Sequence, residues 1–129
     1  MQYMLLIYGD EADWHNLSPQ ARDTLMKEYE TFADSIVKSG QFKAADRLSP
    51  SANATTVRVR AGKTLTTDGP FAESKEQLAG YFMIEAEDLD AAIAVAARIP
   101  SARSGCIEVR PLWQSAMLED QPAVVGSAG

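Results

Sequence analysis

Tyr3-Met4-Leu5-Leu6-Ile7-Tyr8 is an unbroken apolar run near the start of the chain. It is too short for a helix and shows no polar alternation, so it reads as a β-strand that offers apolar side chains to both faces of a sheet. Residues 80–86, Gly-Tyr-Phe-Met-Ile-Glu-Ala, contain a second such stretch. Helices packed on one face leave the other bare. Buried apolar area is worth roughly 25 cal/mol per Å², and a wet face of Leu, Ile, Phe, Met and Tyr is unusually large for a monomer. A two-fold sheet-on-sheet homodimer is the simplest cover. The alternative is the chain's own C-terminal tail, with Leu112, Trp113, Met117 and Leu118, folded back over the sheet.

The flanking segments supply the rest of the fold. Ser18-Pro19 gives an N-cap and a first-turn proline, Leu25, Tyr29, Phe32 and Ile36 recur at helical spacing, and Gly40 marks the stop. A helix over residues 19–39 follows. Residues 41–48 read as a weak edge strand, and 49–53 carry turn chemistry. Residues 55–60 and 63–67, joined by Ala61-Gly62, read as a β-hairpin. Residues 72–78 are charged and are expected to make one or two helical turns. Asp88 caps a second helix whose inner face is read as Leu89, Ala92, Ile93, Ala96 and Ala97, ending before Pro100. Residues 106–112 alternate, with Ile107 and Val109 inward and Glu108 and Arg110 outward. The order β-α-β, hairpin, β-α-β is that of a ferredoxin-like α+β split βαβ sandwich with a hairpin insertion. The domain is expected over residues 1–112, with 113–129 a partly flexible tail.

Composition narrows the function. The chain has 129 residues, 46% apolar and 23% charged, which fits one soluble domain with no membrane segment. The N-terminus lacks a basic leader, so a cytoplasmic location is expected. A net charge of −6 disfavours direct nucleic-acid binding. The single cysteine, Cys106, cannot form an internal disulfide and reads as a small core residue. One His and one Cys do not build a zinc site, and no phosphate-binding loop, dinucleotide fingerprint or nucleophile elbow is present. No metal or cofactor is expected.

Thr67-Asp68-Gly69-Pro70-Phe71-Ala72-Glu73-Ser74-Lys75-Glu76-Gln77-Leu78, followed by Gly80-Tyr81, resembles the signature of the DGPF branch of the YCII-related family. The runs at residues 3–8, 96–100 and 107–112 are similar to that branch as well. The resemblance implies a dimeric α/β barrel. It also implies an accessory role linked, through gene neighbourhood, to extracytoplasmic-function sigma factors. In the wider family it implies a His/Asp acid–base pair with the His on the first helix. This chain departs from that pattern: its only histidine, His15, precedes the helix, and Ser104 stands before Gly105 where many relatives carry histidine.

The carboxylate best placed for catalysis is Asp68, which either caps its own turn or acts as an acid/base. Phe71 reads as a core anchor or a substrate platform. Tyr81 either belongs to the core or turns its phenol into a pocket. Glu108 and Arg110, on one face of the last strand, bind an anion or pair with neighbours. Glu73, Lys75 and Glu76 form a solvated charged cluster beside the turn. Three functions remain open. The first is a homodimeric ligand-binding or regulatory module. The second is a cofactor-independent enzyme that uses Asp68 on a small organic substrate, with Tyr81 or Arg110 polarising it. The third is a sigma-factor partner acting through the acidic surface.

Overall fold

A computed structural model describes residues 1–114. The opening apolar run is strand β1 (Gln2–Gly9), and its two faces differ. Tyr3, Leu5 and Ile7 are buried, whereas Met4, Leu6 and Tyr8 are half-buried. A short helix α1 (Glu11–His15) follows, its N-terminus capped by Asp10, which accepts the Ala12 N–H. Five residues carry too little periodicity to be read as a helix from sequence, and His15 sits at its end.

Helix α2 (Pro19–Lys38) has the expected signals at both ends. The Ser18 hydroxyl accepts the Ala21 N–H at 3.1 Å. At the far end Gly40 N–H donates to Val37 O and Gln41 N–H to Ile36 O, which satisfies two carbonyls the helix would otherwise leave open. Phe32 and Ile36 enter the core, and Phe32 meets Phe82 edge-on at 5.1 Å. Next come β2 (Phe42–Arg47), β3 (Thr55–Arg60), β4 (Lys63–Asp68) and β5 (Gln77–Glu85), then helix α3 (Leu89–Ala96) and strand β6 (Cys106–Pro111).

Four of the strands form one antiparallel sheet in the order β2-β5-β1-β6, and β3-β4 form a separate ribbon. In the sheet the two central strands come from the two halves of the chain, which is the ferredoxin-like arrangement of an α+β domain. α2 and α3 cover one face. Leu5, Ile36, Ile84 and Ile99 are its largest fully enclosed side chains, each worth about 1.5–3 kcal/mol relative to exposure. β2 lies on one edge with a register slip between Phe42 and Ala44 around exposed Lys43. β6, which ends on Pro111, forms the other edge.

Three readings of the sequence need correction. Residues 72–76 are not helical; they run as bends until β5 begins at Gln77. This stretch has no apolar stripe to dock, so a helical turn there has nothing to hold it. It is held instead by the Gln77 side-chain amide donating to Ser74 O at 2.9 Å and by the Ser74 hydroxyl donating to Glu76 O. α3 buries Ala92, Val95 and Ala96 and hands over to Ile99, while Leu89 and Ile93 face outward. The small-residue face exists but is rotated by one row. Cys106 is exposed rather than in the core, because β6 turns Ile107 and Val109 toward the helices. Among the described residues no helix is long and apolar enough to cross a membrane. The readings placed on Met117 and Leu118 fall outside the described residues.

Candidate functional site on the open sheet face

The face of the sheet away from the helices gathers three of the residues singled out from sequence. Strand register places Asp46, Tyr81, Leu6 and Glu108 in one row across β2, β5, β1 and β6. Ala44, Met83, Met4 and Arg110 form the next row. Side chains directly opposite one another share a face, so Tyr81, Glu108 and Arg110 lie on one surface around an apolar centre of Met4, Leu6 and Met83. Tyr81 and Glu108 stand two strand spacings apart, about 10 Å.

Each polar group on this surface has a partner. The Tyr81 hydroxyl donates to Asp46 Oδ2 at 3.0 Å, and that hydrogen bond to a carboxylate pushes its pKa up. Arg110 forms an ion pair with Glu108. The Tyr8 phenol is raised first by burial and then by neighbouring Glu108. The Cys106 thiol is raised by partial shielding of its sulfur and then by Glu76 and Glu108. The surface therefore presents carboxylates and neutral hydroxyls around a greasy middle, with Arg110 as its cation.

A YCII-related domain matches residues 1–116. The chain is also 37% identical over 114 residues to an uncharacterised protein of Rhizobium meliloti (strain 1021), covering 87% of this chain and 92% of that protein. The chain belongs to the YCII-related family.

The Asp68-Gly69-Pro70-Phe71 segment of this YCII-related chain lies apart from that surface. Asp68 is the last residue of β4, paired with Thr55 and exposed. The turn beside it is closed by Gly69 N–H donating to Ala54 O at 2.7 Å and by the Thr56 hydroxyl donating to Gly69 O at 2.8 Å. The closure therefore relies on backbone and a threonine rather than on the Asp68 carboxylate. Gly69 has φ +94°, a conformation that disfavours side chains, which explains the glycine there. Phe71 is 81% exposed and is not a core anchor, since the loop carries its ring out into solvent.

The loop does border an open groove of about 480 Å³, whose lining includes Asp10, Glu11, Ser51, Gly69, Pro70 and Lys75 but not Asp68. Glu11 accepts the Ser51 N–H at 2.9 Å in this groove, and the Ser51 hydroxyl first, then that N–H, hold its carboxyl below the usual range. Among the described residues no cluster of three or more His, Cys, Asp or Glu has the arrangement to hold a metal ion.

Several contributors escaped sequence reasoning. Asp46 lies on an edge strand with weak patterning and meets Tyr81 only through the sheet register. Tyr8 belongs to a run read as apolar on both faces, and only the alternation of β1 assigns it to the open one. The Trp14 ring meets the guanidinium groups of both Arg22 and Arg47, at 5.3 and 4.5 Å from its centroid. Arg22 also donates to the carbonyls of Trp14 and His15, closing the end of α1. No local sequence signal marks a contact between β2 and α1.

Proposed function

We propose that this YCII-related chain is a cytoplasmic homodimeric module that binds a small organic ligand on the open sheet face. Within the family we place it in the DGPF branch on its Asp68-Gly69-Pro70-Phe71 segment. The observation that carries the reading is the convergence of Tyr81, Asp46, Glu108 and Arg110 around Met4, Leu6 and Met83. Ligand sites combine a mostly apolar lining with a few converging polar groups, and this surface has that composition. Two sheets packed face to face lie about 10 Å apart, which leaves a slot the thickness of a flat small molecule wherever the facing side chains are short. With carboxylates outnumbering cations on the face, the ligand class that fits is largely apolar and carries hydroxyl or amine donors.

The test has two arms. Sedimentation of the purified chain should show a dimer that Met83→Glu dissociates, because a further carboxylate buried in the apolar centre is added to a face already rich in carboxylates. Ligand-observed NMR with hydroxylated and amine-bearing aromatic fragments should show binding that Tyr81→Phe and Asp46→Asn weaken about tenfold, the loss of one hydrogen bond to a charged group. A wild-type monomer, or fragment binding that none of these face variants alters, would sink the reading.

A further inference from the structure

The β3-β4 ribbon is the part of the molecule that the fold does not use. It is anchored at its base by the bonds around Gly69 and makes no extensive contact with the four-stranded sheet or with the helices. Each strand has six residues, so the ribbon reaches about 20 Å from its base. Isolated two-stranded ribbons are marginal in water, and among the described residues no other element packs extensively on this one. Its register separates two faces. Val57 and Val59 stand opposite Thr66 and Thr64 on one, a β-branched surface whose charge is confined to Asp68, opposite Thr55 at the base. Arg58, Arg60, Lys63 and Leu65 occupy the other. Val57 and Val59 are 59% and 60% exposed, far more than valines in a finished sheet.

Charge points to the occupant. Residues 55–68 hold three of the twelve basic residues and one of the eighteen acidic ones, so the ribbon carries +2 while the rest of the chain carries −8. A basic arm on an acidic body is complementary to a second copy of the same chain. It is poorly matched to a nucleic acid, which the body would repel.

We propose that the β3-β4 ribbon is an intersubunit arm. It lays its Val57-Val59 face on the partner copy, and the basic charge of Arg58, Arg60 and Lys63 on its outer face draws the arm toward the partner's acidic body through the long-range field. This rests on the homodimer reading and adds a second contact to the sheet face.

The experiment uses the full chain and two double variants, Val57→Asp with Val59→Asp and Arg58→Glu with Arg60→Glu. All four positions are exposed and lie outside the core, so far-ultraviolet circular dichroism should match wild type. Sedimentation across a concentration series should then show the dimer dissociation constant rising about tenfold or more for each variant. Hydrogen exchange of wild type should show amides in residues 55–68 gaining protection as concentration rises through dimer formation. A wild-type dimer whose dissociation constant neither variant changes overturns the arm and leaves the sheet-face dimer standing. A wild type that stays monomeric overturns both.

Discussion

Tyr29 shows how one side chain ties a helix to the far end of the fold. From α2 it reaches Ser101, in the turn after α3, through a short hydroxyl–hydroxyl hydrogen bond. Burial pushes its phenol up, and the Ser101 contact opposes that only in part. The folded chain therefore keeps this proton to higher pH than the unfolded chain does. The stability linked to it is complete below the ordinary value near 10 and is lost as pH climbs through the raised value. Tyr29→Phe should lower stability by about 1 kcal/mol at neutral pH and remove this residue's share of the alkaline loss, read by urea unfolding at neutral and high pH. Cys106 behaves in the opposite sense to a reactive thiol. Although the residue is exposed, its raised pKa predicts slower alkylation by iodoacetamide at neutral pH than an unperturbed cysteine, and Glu76→Gln should speed it, both measurable by mass spectrometry. Sequence indicated neither effect. The partners of Tyr29 and Cys106 lie 72 and 30 positions away along the chain, and only the fold brings them within reach.

Strands and helices were more legible than side-chain partners, for a physical reason. The β1 run, the Ser18-Pro19 start and Gly40 stop of α2, and the Ala61-Gly62 hairpin all carry their instructions locally, in periodicity, caps and turn residues. Where local preference needed tertiary packing, the reading went astray. Residues 72–76 have helix-compatible composition but nothing to pack on. In α3 a cluster of alanines let two adjacent faces look equally apolar, and Val95 with Ile99 decided between them. The strand contacts also explain two glycines. A β-carbon on Gly80 would stand 2.7 Å from Asp46 O, and one on Gly105 would run into the Tyr8 carbonyl oxygen. Gly105→Ala should therefore force β1 and β6 apart at their shared end and cost about 3 kcal/mol, toward the upper end of overpacking effects, in a thermal or denaturant melt. Serine at position 104 should tolerate alanine far better, since its side chain is exposed.

At the scale of the whole molecule, the order of elements indicated the α+β ferredoxin-like arrangement, and the two-faced apolar strands indicated a surface in need of cover. The candidate site was half legible. Tyr81, Glu108 and Arg110 could be nominated from residue type and alternation, but Asp46 and Tyr8 join them only once four strands from distant parts of the chain adopt their order. Asp68 and Phe71 drew attention because they sit in a distinctive motif, and that motif turns out to shape a loop and a groove. The sheet-face dimer and the basic arm make a joint prediction: salt should weaken the arm contact, which is carried partly by charge, more than the apolar face contact. Sedimentation of the Arg58→Glu, Arg60→Glu chain should accordingly show a smaller salt response than wild type.

The two rims of the sheet carry a further consequence. The slipped register around Lys43 on β2 interrupts one rim, and Pro111 removes a donor from the other. Neither rim offers a clean ladder for another chain to extend the sheet sideways. Edge-to-edge growth of the four-stranded sheet is thereby disfavoured at both rims, whatever other surfaces copies of this chain use to meet.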